Sequence, residues 1–395
     1  MNIGYLVYRR NFYISEQKRG SDIHSYQVTS NLMNMGIKIH MFNDKNSGQF
    51  NIYPCDSRSI SDFITKIDLL YTRIDGHLLH RNGLFLECMD RAIAMSLPMV
   101  WEVHAPAEEV FITKGRFKFL YKYISDKYRF NLRYDINKIF YKRLVEKEER
   151  CRRYYAEFVK AGICKSNALK QYVQSDLGIK SCKVIPNGSD PCLFSPEKNK
   201  PDLYKNHKHY FKIIWAGTGY SWQSPDLIRK LSKVARQRGD KILFILLDNL
   251  PNSVNKIKPA ANLLIFNQVS YNEVPNYIAS ADACLCIYDD FSRFKYDFYM
   301  SPIKIFDYML SAKPVVATRT GQISEIISDR EDGLLTANTV EDIYEKILLL
   351  RNDKERACAM GASARSKVSQ KYTWEIAAKS VNDVLRSVLD HEMVV

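Results

Sequence analysis

The chain has 395 residues, 46% of them hydrophobic and 26% charged, with a formal net charge of +14. That length suits about two domains, and the apolar fraction is ample for full cores. No stretch approaches the roughly 18 uninterrupted apolar residues of a membrane span. The nine scattered cysteines show no Cys-x-x-Cys pair and no Cys/His cluster of zinc spacing, which argues for free thiols in a reducing cytosol and against a structural metal.

In chain order, the apolar run Asn2–Val7 reads as a first core strand. The opening MNIGYLVYRRNFY lacks a small-residue cleavage site, so a signal peptide is not expected. Ser21 or Asp22 can cap a helix over Ile23–Met35 that stops at Gly36. Strands follow at Lys38–Phe42 and Asp68–Tyr71, a helix at Leu84–Met95, and a strand at Pro98–Val103. The segment 114–153 then carries fourteen Lys/Arg against five Asp/Glu, interleaved with aromatics such as Phe117, Tyr121, Tyr134 and Phe140. Such a segment fits a surface for anionic lipid, a nucleic-acid surface, or long solvated helices with aromatics packed inward. No nucleic-acid motif accompanies it, so no nucleic-acid partner is expected. Beyond it, Phe158–Cys164 reads as a strand, Ser166 caps a helix over Asn167–Leu177, and Lys183–Ile185 is a strand ending in Pro186-Asn187-Gly188.

Residues 190–210 are polar and rich in Pro and Lys, the best linker candidate. The alternation then restarts with a strand at Lys212–Ala216, a glycine turn, a helix at Pro225–Gln237 and strands at Lys241–Leu246 and Leu263–Asn267. A helix at Asn272–Ser280, a strand at Ala283–Ile287 and, past residue 330, a strand at Gly333–Leu335 follow. The helices Val340–Leu350, Lys354–Lys371 and Trp374–Leu389 close the chain. Two βαβ series predict an α/β chain of two Rossmann-like, doubly wound domains facing a cleft. The expected boundaries are 1–195 and 205–372, with the C-terminal helix 373–395 packing back on the first domain. In such sheets ligands sit at the carboxyl ends of the strands.

The most informative stretch is Ser301 to Gly321, SPIKIFDYMLSAKPVVATRTG. It reads as a helix carrying Lys304 and Asp307, a strand over Pro314–Ala317, and a new helix containing Glu325. Free N–H groups and the positive dipole end at the first helix start suit a phosphate. Pro302 fits the first turn, where its missing N–H would go unpaired. A carboxylate one turn on suits a ribose diol, so the pair points to a nucleoside-diphosphate ligand.

Several segments together resemble the retaining glycosyltransferases of family 4, which have the two-domain GT-B fold. They are Gly20-Ser21-Asp22-Ile23-His24, Ser166 with Ile185 to Asp190 and Phe194, Ala281-Asp282, Lys304 with Asp307-Tyr308-Met309 and Pro314-Val315-Val316, Glu325-Ile326-Ile327, Asp332 to Leu335, and Tyr372-Thr373-Trp374. The family carries two glutamates eight positions apart, the second on the donor ribose. Here Asp307 takes the second place and Tyr299 stands at the first, with a Ser-Pro-x-Lys variant between. The family's Arg and Lys after the first strand of the second domain are replaced by Thr218 and Gln223.

The resemblance implies a retaining, metal-independent glycosyltransferase of hexosyltransferase type, with no cofactor and a nucleoside-diphosphate-sugar donor, UDP favoured over GDP. A glycan or lipid-linked acceptor in bacterial-type surface polysaccharide or glycoconjugate synthesis is expected. The protein is expected in the cytoplasm, at the inner face of the plasma membrane through segment 114–153. Donor-binding candidates are Gly217, Thr218, Gly219, Arg293, Ser301, Pro302, Ile303, Lys304 and Asp307. His104, Lys304 and Ser301 are the catalytic candidates. On the acceptor side stand Gly20, Ser21, Asp22, Arg73 and Glu102, with Glu108 a further candidate. A non-catalytic nucleotide-sugar or glycan-binding relative, or a nucleoside-diphosphate-sugar epimerase, is the alternative.

Overall fold

The computed structural model describes residues 1–7, 20–43, 50–113, 129–198, 207–218, 221–248 and 259–392. The first half contains β1 (Asn2–Leu6), α1 (Gly20–Asn34), β2 (Lys38–Phe42), β3 (Asn51–Tyr53), α2 (Ser57–Thr65), β4 (Leu69–Ile74) and α3 (Gly83–Ala94). It continues through β5 (Met99–Val103), a 3-10 turn (Ala107–Glu109), the single turn α4 (Val110–Thr113), α5 (Arg129–Ala156), β6 (Val159–Cys164), α6 (Asn167–Ser175) and β7 (Cys182–Val184). The second half contains β8 (Phe211–Gly217), α7 (Pro225–Arg238), β9 (Ile242–Asp248), β10 (Leu263–Asn267), α8 (Val274–Ser280), β11 (Ala283–Cys286) and α9 (Ile303–Leu310). Then come β12 (Val315–Thr318), α10 (Gly321–Ile326), β13 (Leu334–Thr336), α11 (Val340–Asn352), α12 (Lys354–Lys371) and α13 (Trp374–Glu392).

The strands form two all-parallel sheets, ordered β3-β2-β1-β4-β5-β6-β7 and β10-β9-β8-β11-β12-β13. Both reverse direction beside their first strand, so each has a switch point where a crevice opens at the strand ends. β9, ILFILLD, is buried along its whole length, as a parallel strand covered by helices on both faces requires. Caps set several helix starts: Ser166 Oγ accepts from Leu169 N before α6, and Thr339 accepts from Asp342 N before α11.

The short β3 and α2 are not among the expected elements, although Ile60, Phe63 and Ile64 of α2 fall at helical spacing and are buried. Asp56 nevertheless caps α2, accepting from Arg58 N and Ser59 N. Pro302 sits at the N-cap of α9, with extended backbone, one position before the helix proper. The basic segment contributes α5 from residue 129 on; residues 114–128 lie outside the described part. Tyr155 of α5 is buried, whereas Ile139 and Phe140 are 77% and 52% exposed, so its aromatics do not all turn inward.

The seam between the halves is polar and tightly bonded. Asn187 N donates to Ser301 Oγ at 3.0 Å and Asn187 Nδ2 to Ser301 O at 2.6 Å. Ser166 Oγ donates to Tyr299 O at 2.8 Å. The chain then returns: α13 packs against α1, and Trp374 lies edge-on to His24 at 5.6 Å. Within the second half, α12 packs on α9, and a Cβ at Gly361 would run into the Ala312 carbonyl. Gly361→Ala is therefore expected to destabilise by about 1–3 kcal/mol through overpacking. A lowered denaturation midpoint checks this; an unchanged one would show that the helix shifts freely.

Candidate functional site

The carboxyl edges of the two sheets enclose a cavity of about 630 Å³. Gly20, Ser21, Arg73 and His104 line its first wall, and Gly217, Thr218, Ser301, Pro302, Ile303, Lys304 and Asp307 line the second. Four candidates stand elsewhere, Glu108 (described below) among them. Asp22 is buried off the cavity, Glu102 lies beneath its floor, and Arg293 pairs with Asp135 of α5. Gly219 lies outside the described residues.

On the second wall, burial lowers the Lys304 ammonium to about 8. Its Nζ stands 4.4 Å over the Trp215 ring and 5.4 Å over the Tyr288 ring, two cation–π contacts. Gln223 Oε1 accepts from Nζ at 3.4 Å and from Thr218 N at 3.2 Å. No carboxylate pairs with Lys304 among the described residues. The cage holds a cation at the start of α9 with its charge uncompensated, an arrangement that attracts an anion.

Asp307, one turn further, is 4% exposed. Its Oδ1 accepts from Ser189 Oγ at 2.6 Å, and the Tyr271 hydroxyl lies 3.3 Å from Oδ2. Burial pushes this carboxyl well above the usual carboxylate range. Ser301 lines the cavity while its Oγ accepts from Asn187 N, so its hydroxyl also ties the seam.

Under the first wall, Glu102 is fully buried between three cationic or imidazole groups. His24 Nε2 lies 3.0 Å from Oε1, His104 Nε2 lies 3.4 Å from Oε2, and Lys165 Nζ pairs with Oε1. Burial is the largest effect on Glu102 and acts upward, but His24 and Lys165 outweigh it and hold the carboxyl well below its usual range. Burial drives His104 well below its ordinary value, so a neutral imidazole meets the cavity. The ligand atoms of His24, Glu102 and His104 lie within 4.8 Å of one another, a spacing that suits a metal ion. Lys165 already supplies a positive charge at that carboxylate.

Groups that the sequence reading missed complete the first wall. Arg152 of α5 is fully buried and donates to Asp75 O and Ala105 O, each at 2.8 Å. It fixes the loops after β4 and β5 that carry the wall. Of the two glutamates after Pro106, Glu109 lines the cavity, whereas Glu108 Oε1 accepts from Lys295 N at 3.1 Å. The only sequence signal for Glu109 was its place just past the end of a cleft strand. Tyr271 and Tyr288 had none, because alternating apolar patterns do not say which ring faces a ligand.

Residues 211–353, the second sheet and its helices, match the family described as glycosyl transferases group 1. The whole chain superimposes on sucrose-phosphate synthase of Thermosynechococcus elongatus with a TM-score of 0.69 at 12% identity, over 99% of this chain and 100% of that one. HepE of Anabaena, in complex with UDP and glucose, gives 0.66 at 15% identity, over 98% and 100%. The fold is GT-B. An uncharacterized glycosyltransferase of Methanocaldococcus jannaschii is 37% identical over 83 residues, 21% of this chain and 23% of that protein. The chitobiosyldiphosphodolichol beta-mannosyltransferase of Candida albicans is 24% identical over 259 residues, 58% of this chain and 54% of that protein. The matches thus span at most about half the length of these curated relatives. Among the described residues of this GT-B chain, no helix is long and apolar enough to cross a membrane.

Proposed function

We propose that the chain is a glycosyltransferase that moves a sugar from a nucleoside-diphosphate sugar, UDP favoured over GDP, to a glycan or lipid-linked acceptor. The observation that carries this reading is the uncompensated Lys304 ammonium in its Trp215/Tyr288 cage, aimed into the cavity at the start of α9. The match of this half to the group 1 glycosyl transferases supports it.

In this reading the diphosphate lies against Lys304 and the α9 N-terminus, and the ribose meets Asp307 and Tyr271. As the bond from the anomeric carbon to the diphosphate oxygen breaks, the electron pair leaves with the diphosphate. Lys304 stabilises that charge, so the reaction needs no metal at the leaving group. The acceptor hydroxyl oxygen bonds to the anomeric carbon on the face the diphosphate leaves, with retention, and its proton passes to the departing phosphate oxygen. His104, neutral on the facing wall, orients a hydroxyl of the bound sugar. The two walls exclude water and limit donor hydrolysis. The basic face of α5 and the segment before it would hold the protein at the inner face of the plasma membrane beside a lipid-linked acceptor in surface polysaccharide synthesis.

Calorimetry with UDP and GDP, and nucleotide release from UDP- and GDP-sugars, test this. UDP is expected to bind, and Asp307→Ala is expected to weaken it about tenfold, the worth of one good polar contact. Failure of both nucleotides to bind the unaltered protein would overturn the reading. Binding without turnover in the presence of acceptor extracts would favour a non-catalytic nucleotide-sugar-binding protein.

A further inference from the structure

The cavity has a cation on its second wall and a carboxyl group on its first. Glu109 ends the 3-10 turn that follows β5, and it lines the cavity. Its carboxyl presses against Gly76, where any Cβ would collide with it. The buried Tyr299 hydroxyl lies close to it, on the loop that leads into α9. Tyr299 itself is 1% exposed and held edge-on against the stacked pair Phe291 and Phe294. The acid therefore has a fixed place at the seam, facing the loop that starts the Lys304 helix.

A nucleotide sugar whose diphosphate rests on Lys304 directs its sugar ring toward the first wall. A sugar ring presents hydroxyl donors, and an ionised carboxylate offers two acceptor oxygens. We propose that Glu109 accepts hydrogen bonds from hydroxyl groups of the donor sugar, a specificity-determining contact made from the first domain. It brings a carboxylate to the cleft where position 299 holds a tyrosine. This inference rests on the glycosyltransferase reading above.

The charged and titratable groups facing Glu109 are Asp75 and His77 from the loop after β4, Arg152 from α5, and Tyr299. Burial first, and then Asp75, push the carboxyl up to about 7, against the opposing pull of His77, Arg152 and the nearby Tyr299 hydroxyl. The carboxylate fraction thus rises between pH 6 and pH 8, and its grip on hydroxyl donors rises with it.

The test compares the affinity of UDP-sugars (glucose, galactose, N-acetylglucosamine and glucuronate) with that of UDP by calorimetry at pH 6 and pH 8. Taking the ratio cancels the titration of Lys304. The same ratio measured with the β-methyl ester of UDP in place of UDP removes the titration of UDP's own terminal phosphate, at about 6. At least one UDP-sugar is expected to bind the unaltered protein more tightly than UDP, with a larger ratio at pH 8. Glu109→Gln is expected to cut that ratio about tenfold at pH 8 and to flatten its pH dependence, with UDP affinity unchanged. Tyr299→Phe removes the hydroxyl that favours ionisation, so the midpoint of the pH dependence is expected to move up. A ratio and pH profile unchanged in Glu109→Gln would overturn the proposal. So would an unshifted midpoint in Tyr299→Phe, or the lack of any UDP-sugar preference in the unaltered protein. Absence of any UDP or GDP binding overturns the underlying reading as well, and is told apart by that absence.

Discussion

Lys304→Met is expected to lower kcat/KM for the nucleotide sugar by about 10²–10³-fold, and UDP affinity by about 10²-fold. Removing one donor from a site of developing charge typically costs this much, and a hydrogen bond to a charged group contributes about 1.5–3 kcal/mol. Methionine keeps the apolar stem between Trp215 and Tyr288, so the loss reports the charge and not a collapsed cage. The pH dependence has a defined sign. Burial places the free ammonium near 8, and only the protonated form attracts the diphosphate. UDP affinity should therefore fall as pH rises through 8, and approach a tenfold loss per pH unit above it until the pKa of the complex is reached. In the methionine variant this fall should vanish. Equal UDP affinity in both proteins would remove Lys304 from the diphosphate site.

Arg152→Met is expected to cost about 3–5 kcal/mol of stability, the range for removing one partner of a buried ion pair. The guanidinium is fully buried. Nε donates to Glu148 Oε1 at 2.8 Å, Nη1 to Ala105 O at 2.8 Å, and Nη2 to Asp75 O at 2.8 Å and His77 O at 3.3 Å. Glu148, equally buried, also accepts from Leu79 N at 2.9 Å and pairs with His80 Nδ1 at 2.7 Å. Truncation would leave a carboxylate and three carbonyls short of a partner. The neighbouring Arg153 makes one exposed bond, to Glu149 O at 3.3 Å, and Arg153→Met should fall within about 0.5 kcal/mol of the unaltered protein. Urea denaturation of both variants reads the difference. Because the same guanidinium positions the loops of Asp75 and Ala105, sugar binding should weaken in Arg152→Met even where the protein remains folded. A loss below about 1 kcal/mol would show that the network does not hold the wall.

The Ser301–Gly321 stretch shows how far the candidate site was legible. The Ser-Pro start and the apolar run around Lys304 and Asp307 placed a helix correctly, and the start of that helix lines the cavity. The helix begins one residue later than expected because Pro302 keeps extended backbone. What no local pattern held was the company of those side chains. Asp307 meets Ser189, 118 positions away, and Tyr271, 36 positions away. Glu102 reads as a strand-end acid facing an acceptor, but alternation turns it inward, onto His24, His104 and Lys165. Glu108 and Glu109 are indistinguishable in sequence, and a short 3-10 turn sends one to Lys295 and the other to the cavity.

The amino-acid sequence by itself determined the two βαβ series, the position of most strands and helices, and the basic character of residues 114–153. These follow from local periods, caps and breakers, which act within one or two turns of chain. The tertiary structure alone decided the aromatic cage around Lys304, the buried Arg152 hub and the carboxyl group facing Tyr299. Each of these depends on elements far apart in sequence crossing at one point. Arg152 reaches Asp75 across 77 positions, and no periodicity along either segment encodes that meeting.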